Sequence, residues 1–120
     1  GDVVALLGET RGELGGSELL LALSGKLAGR PPRLDMAREK ALQTLVRTLV
    51  REGLVASAHD CSEGGLGVAL AECCITEGER MLGARVELPQ GSAPAHARLF
   101  GEDASRIVVS IPSAKISQVE

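Results

Sequence analysis

The chain of 120 residues has almost no aromatic side chains, with no tryptophan, no tyrosine and one phenylalanine, Phe100. It also lacks a basic excess, since 13 Lys and Arg oppose 16 Asp and Glu and the formal charge is −3. Nucleic-acid-binding proteins use positive patches to hold phosphates and aromatic rings to stack on bases. The composition therefore excludes a nucleic-acid-binding module.

Long hydrophobic runs are absent too. Unbroken apolar stretches such as Leu19–Leu23 reach five residues, whereas a membrane-spanning helix needs about 20, so we expect no membrane association. A hydrophobic content of 44% and a charged content of 24% suit a single compact domain over residues 1–120. Because the chain begins at Gly1 without an initiator Met or a signal-like stretch, we expect no secretory leader and a fragment of a longer enzyme.

Cysteine and histidine are scarce. The three cysteines, Cys61, Cys73 and Cys74, cannot all pair, and two of them are neighbours in a predicted helix. This pattern favours reduced thiols and a cytoplasmic protein. The spacing needed for a zinc site is missing, so the cysteines are better interpreted as small buried hydrophobes. His59 and His96 have no partner by spacing, which favours packing or surface roles over catalysis.

Glycine, in contrast, is abundant and divides the chain into short periodic segments. Their order predicts an α/β (α+β) domain in which helices cover a sheet of about four strands. The predicted strands are 2–7, 53–60, 84–88 and 107–111, and the predicted helices are 18–26, 34–52, 65–77, 95–100 and 113–120.

The most informative segment, residues 58–66, places an acid, a hydroxyl and two glycines where a strand gives way to a helix. Ligands collect at such corners in α/β sheets. Strand alternation puts Ser57 and His59 on one face and Asp60 on the other, which argues against a local catalytic triad. Asp60 is placed to present a carboxylate to a cation, and Ser62 to bind a phosphate oxygen. From the residues alone, helix capping by these two side chains is an equally good interpretation.

Two further polar segments accompany this turn. The glycine-rich loop, residues 8–17, precedes a predicted helix, but it has no GK[ST] motif, and its glutamates would repel an unshielded phosphate. A tight structural turn is the favoured interpretation, and a phosphate would need a metal beside it. The acidic corner, residues 100–106, contains Glu102 and Arg106, for which a surface ion pair is the alternative to a ligand site. We expect the corner to lie near Asp60.

Three stretches together resemble the phosphoribosylformylglycinamidine synthase family: LGET with ELGGSE at 7–18, HDCSEGGL at 59–66, and LFGE with SR at 99–106. The likeness is to its C-terminal domain of the aminoimidazole ribonucleotide synthetase type, and the ELGGSE element points to the second such domain. The HDxSxGGL element alone also occurs in aminoimidazole ribonucleotide synthetase, selenophosphate synthetase and thiamine-phosphate kinase. The glycine-rich loop distinguishes the ligase from these related enzymes.

The resemblance implies an ATP-dependent ligase of purine biosynthesis. Such an enzyme converts formylglycinamide ribonucleotide and glutamine-derived ammonia into formylglycinamidine ribonucleotide, ADP and phosphate. Mg2+ and ATP or ADP are the implied cofactors, and the implied partners are the remaining domains of the enzyme and a glutaminase domain or subunit. The catalytic histidine belongs to the preceding domains, so we expect no catalytic residue here and no activity from the fragment alone.

In the long form of that enzyme, the Asp and Ser of the DxS element bind magnesium and the nucleotide at an auxiliary site. These positions match Asp60 as a metal ligand and Ser62 as a nucleotide-binding residue. Glu63 stands where the family usually has Asp, and Glu102 is a weaker candidate by internal symmetry only. The alternatives are a structural or regulatory domain without a ligand of its own, or the same domain from a related ATP-using enzyme.

Overall fold

The computed structural model describes residues 1–75 and 81–119 of the chain. A three-stranded antiparallel sheet, with order β1-β3-β2, forms its centre, and helices surround the sheet. The strands are β1 (Val3–Leu7), β2 (Ser57–Asp60) and β3 (Ile107–Ile111). The helices are α1 (Glu18–Ser24), α2 (Met36–Arg51), α3 (Gly65–Ile75), α4 (Ala95–Phe100) and α5 (Ile116–Val119), with a 3-10 turn at Ser113–Lys115.

This architecture confirms the predicted mixed α/β class, but the described residues form three strands rather than about four. The strand expected at 84–88 is wrong. Its alternating pattern buries little, since Arg85 and Glu87 form an exposed ion pair at 3.0 Å, Val86 between them is also exposed, and the contact with the core is made by Leu88 at the end of the segment. A strand is stabilised by packing along one face, and here that packing is limited to one residue. Residues 76, 77 and 120, expected to be helical, lie outside the described residues.

The second strand is shorter than predicted because its first residues close the preceding helix. Gly53 has a φ of +64° and donates its N–H to the Val50 carbonyl, while Leu54 donates to the Leu49 carbonyl. These two bonds make a Schellman cap, which commonly ends helices at a glycine. The strand therefore begins at Ser57 rather than at Gly53.

The first helix has the predicted Ser17 N-cap, whose hydroxyl accepts the Leu20 N–H at 3.3 Å. It ends at Gly25, which takes the left-handed conformation and donates its N–H to the Leu21 carbonyl. Although five of its seven residues are apolar, α1 has no buried residue. The helix is thus held by its ends rather than by an apolar face.

The core lies between the sheet and α3, which is nearly all apolar and packs on β2, β3 and α4. Strand β3 is central, and Val109 in its middle is completely buried. The buried cluster contains Cys61, Leu66, Ala69 and Val108, with Leu6, Leu70 and Leu88 packed against it. No helix in the described part of the chain is long and apolar enough to cross a bilayer.

Both outer strands run antiparallel to β3, so they end at the same edge of the sheet. Leu7 at the end of β1 and Asp60 at the end of β2 both pair with Ile107 at the start of β3. The glycine-rich loop, the β2–α3 turn (residues 61–64) and the acidic corner therefore emerge together. The topology places the three polar segments that the sequence singled out side by side.

Candidate functional site

A buried carboxylate joins the acidic corner to the glycine-rich loop. Asp103, whose exposure is 1%, accepts the N–H groups of Arg11 at 3.1 Å and Gly12 at 3.0 Å through Oδ2. Its Oδ1 accepts the Glu13 N–H at 2.9 Å. Hydrogen bonds to an ionised carboxylate are stronger than neutral ones. Asp103 therefore fixes the backbone of the loop over three consecutive residues.

Arg106 balances this buried charge. Its guanidinium Nη1 lies 3.7 Å from Asp103 Oδ2 and donates to Thr10 Oγ1 at 3.3 Å. Nε donates to the Asp103 carbonyl at 3.3 Å, and Nη2 donates to the Gly101 carbonyl at 2.5 Å. The surface pair of Glu102 with Arg106 considered from the sequence is therefore wrong. Arg106 is turned inward because a buried carboxylate requires a partner that is itself fully hydrogen-bonded.

Glu102 instead connects the corner to two helix starts. Its Oε1 accepts the Glu18 N–H at the start of α1 at 2.8 Å and the Gly64 N–H just before α3 at 2.9 Å. Its own N–H donates to the Glu13 carbonyl at 2.9 Å. The first N–H groups of a helix have no partner within the helix, so a carboxylate there is stabilising. The expected proximity of the corner to the Asp60 segment is confirmed.

Glycine is required where the β2–α3 turn meets the corner. Gly65 has a φ of +66°, and a Cβ on it would lie 2.3 Å from the Gly101 carbonyl oxygen. Gly64, with a φ of +77°, would place a Cβ 2.3 Å from a Val68 methyl group. A side chain at either position would force the backbone apart. The two glycines of the motif therefore let the turn approach the corner closely.

The two residues singled out for ligand binding, Asp60 and Ser62, are both exposed at this edge of the sheet. Within residues 1–75 and 81–119, neither side chain forms a hydrogen bond, so neither caps α3. The Ser62 carbonyl accepts the Gly65 N–H at 3.1 Å, and Glu102 takes the Gly64 N–H. The Asp60 carboxylate at the end of β2 and the Ser62 hydroxyl in the following turn are thus both exposed to solvent.

The neighbouring histidine does not form a triad. His59 Nδ1 lies 2.7 Å from the Asp60 carbonyl oxygen, and its Nε2 lies 3.4 Å from the Glu72 carboxylate on α3. Ser57 shares a hydrogen bond with the Ser110 hydroxyl on β3 at 2.7 Å. Ser57 and His59 therefore have partners other than the Asp60 carboxylate, in agreement with the strand alternation that puts Asp60 on the opposite face. Glu72 was missed because the sequence does not show which helix face covers β2.

The cysteines do not supply a nucleophile. All three are free, Cys61 is buried, and desolvation raises the pKa of its thiol. Desolvation also raises the pKa of Cys73. A raised pKa keeps a thiol protonated at neutral pH, and the thiol is the unreactive form. Cys61 belongs instead to the apolar core, in agreement with its interpretation as a small hydrophobe.

The corner is also attached to α2. Ser105, which has a φ of +60°, donates its hydroxyl to Glu39 Oε2 at 2.6 Å. This bond and a second one from Gln43 hold the pKa of Glu39 below its ordinary value of 4.5. Asp35, the N-cap of α2, also has a lowered pKa because the Arg38 and Ala37 backbone N–H groups donate to it.

Comparison with known proteins agrees with the three motifs. Residues 1–119 match the family described as AIR synthase related protein, C-terminal domain. The chain belongs to this family. It is 56% identical over 119 residues to the phosphoribosylformylglycinamidine synthase subunit PurL of Anaeromyxobacter sp. (strain Fw109-5), a match that covers 93% of this chain and 15% of the relative.

Other relatives carry the same name. The subunit PurL of Symbiobacterium thermophilum is 48% identical over 120 residues, covering 100% of this chain and 15% of the relative. That of Moorella thermoacetica is 50% identical over 116 residues, covering 96% and 15%. The chain therefore spans about 15% of the length of the curated relatives it matches. The matched region is the C-terminal domain type predicted from the sequence.

We predict that Asp103→Asn lowers the free energy of unfolding by about 3 to 5 kcal/mol, the usual effect of breaking a buried ion pair. The side-chain NH2 group introduced at position 103 would also face a backbone N–H of the loop, which in the wild type donates to a carboxylate oxygen. Urea denaturation of the 120-residue chain measures the change. Asp60→Asn, an exposed change of the same type, should leave the urea midpoint unchanged. Equal effects of both substitutions would contradict the role given to Asp103.

The lowered pKa of Glu39 predicts a dependence of stability on pH. A carboxyl whose pKa is lower in the folded state stabilises the fold above its ordinary value, and this contribution is lost as pH falls through the folded pKa. Glu39→Gln should therefore lose less stability than the wild type as pH falls from about 6 to about 3. Urea midpoints over this range measure it. The control Glu63→Gln removes an exposed acid and should follow the wild type.

Proposed function

We propose that residues 1–120 form a single C-terminal-type domain of a phosphoribosylformylglycinamidine synthase. The parent enzyme is then an ATP-dependent ligase that makes formylglycinamidine ribonucleotide from formylglycinamide ribonucleotide and glutamine-derived ammonia. Relatives of that name matched over 93% to 100% of the chain support the assignment. This domain supplies no catalytic residue to the reaction.

We propose further that the domain contributes Asp60 as a ligand to Mg2+ and Ser62 as a contact to ATP or ADP. One observation carries this proposal: the two side chains are exposed and unbonded within the described residues, on a turn whose backbone is fixed by the acidic corner. Here the fold holds the turn and leaves its two ligand groups available.

The donors suit a shared magnesium site rather than a complete one. Mg2+ prefers oxygen ligands in octahedral geometry, and it usually takes one or two carboxylates together with waters and substrate phosphates. Among the described residues, no group of three or more His, Cys, Asp or Glu side chains could hold a metal. Asp60 would hold the ion together with the nucleotide and residues of a neighbouring domain. When bound, the ion would neutralise phosphate charge beside an acidic loop.

The proposed partners follow from the same assignment. The remaining domains of the enzyme complete the active site, and the relatives' designation as a subunit supports a glutaminase partner that is a separate chain. The free cysteines agree with a cytoplasmic location. The second candidate function is a structural or regulatory domain with no ligand of its own.

The isolated 120-residue chain should show no amidine-forming turnover with ATP, ammonia and formylglycinamide ribonucleotide. The reason is that the resemblance places the catalytic histidine in other domains, while Ser57 and His59 near Asp60 are bonded to Ser110 and paired with Glu72. Chromatographic detection of ADP and of the amidine product measures the turnover. The intact enzyme serves as the positive control. Product above the uncatalysed background would contradict the assignment of catalysis to other domains.

Asp60→Ala in the intact enzyme should remove one magnesium-ATP site or weaken it at least about tenfold, because the carboxylate supplies a metal ligand. Isothermal titration with magnesium-ATP gives both the stoichiometry and the Kd. Asp2→Ala is the matched control, since Asp2 precedes β1 at the opposite end of the sheet. Unchanged stoichiometry and affinity would favour the alternative of a structural domain without a ligand of its own. They would also mean that this enzyme lacks the auxiliary site described for the long form.

A further inference from the structure

The β2–α3 turn is held at both ends by the acidic corner. At one end, Cys61 donates its N–H to the Arg106 carbonyl at 3.0 Å. At the other end, Gly64 donates its N–H to Glu102 Oε1 at 2.9 Å. Ser62 lies between these two bonds and is exposed. The backbone that carries its hydroxyl is therefore held by the corner on both sides, in addition to the bond from the Gly65 N–H to the Ser62 carbonyl.

The two attachments differ in kind. The bond from Cys61 continues the ladder between β2 and β3, so the sheet itself supports it. The bond from Gly64 depends on one side chain. That side chain is fixed in turn, because the same Oε1 accepts the Glu18 N–H at 2.8 Å and the Glu102 N–H donates to the Glu13 carbonyl. Glu102 thus ties the turn to the start of α1 through a single side-chain oxygen atom, and its backbone N–H ties the corner to the glycine-rich loop.

We propose that Glu102 is a positioning residue for the nucleotide site, acting by holding the turn that carries Ser62 and directly follows Asp60. This inference rests on the proposed function. The role requires an acceptor oxygen at the end of a side chain long enough to reach both Gly64 and Glu18. It does not require direct contact with the nucleotide. Reach and charge can be separated by substitution, which makes the proposal testable.

The experiment compares Glu102→Gln with Glu102→Asp in the intact enzyme, using isothermal titration with magnesium-ATP. Gln keeps the length and one acceptor oxygen but loses the charge, whereas Asp keeps the charge but is one methylene too short to span both amides. We expect the Kd of the Asp60-dependent site to rise about tenfold in Glu102→Asp and less than about threefold in Glu102→Gln. The stoichiometry should not change, because the ligands themselves remain.

The opposite order, with Gln weaker than Asp, would overturn the proposal, since it would mean that the charge of Glu102 acts on the metal or nucleotide directly. An unchanged Kd in both variants, with or without a lower melting temperature, would overturn it as well. Asp60→Ala in the same titration distinguishes a failure of the proposed function from a failure of the positioning role. If Asp60→Ala has no effect, the proposed function fails. If it removes the site while Glu102→Asp binds normally, only the positioning role fails.

Discussion

The buried carboxylate of Asp103 is the interaction on which the rest of this edge of the domain depends. A charge removed from water is tolerated only when its oxygen atoms are hydrogen-bonded and an opposite charge is near. Three loop amides and the Arg106 guanidinium meet that requirement, so the loop conformation and the corner conformation determine each other. Glu102 precedes Asp103 in the chain. With Asp103 fixed, the Glu102 carboxylate accepts the backbone N–H groups of Glu18 and Gly64 at the starts of α1 and α3.

At this edge of the sheet, some carboxylates hold the backbone in place and another is exposed to solvent. Asp103 uses both of its carboxylate oxygens to accept backbone N–H groups, and Glu102 uses Oε1 to accept two. The outer acid, Asp60, has no such bond within the described residues. The same residue type thus has two roles, which burial and nearby donors decide. Acid content alone does not show which carboxylate is free to bind a cation.

Local pattern predicted most of the elements. The mostly apolar run at 107–111 predicted the central strand with its correct bounds, and the apolar run after Gly64 predicted α3. Two errors have physical causes. The Schellman cap at Gly53 uses residues that looked like strand, and the segment 84–88 alternates but buries little of its apolar face. The first error comes from a local capping motif, and the second from missing packing along the segment.

The meeting of the three polar segments was predictable, but the bonds between them were not. Strand alternation and the turn residues singled out Asp60 and Ser62 as candidates, and the three motifs indicated which segments meet. The bonds from Arg11, Gly12 and Glu13 to Asp103 connect opposite ends of the chain, and no spacing rule indicates them. The signal that could have found them is the row of glycine-rich backbone N–H groups, which needs an acceptor once buried.

The strand order has a consequence for how the domain is made. Among residues 1–75 and 81–119, the central strand, β3, is the last of the three strands in the chain, and the outer strands pair only with it. During synthesis, β1 and β2 have no sheet partner until residues 107–111 have left the ribosome. Sheet formation therefore waits for nearly the whole domain and then depends on closing long loops, which is a slow step. Until that moment, the apolar α3 has no sheet surface to cover.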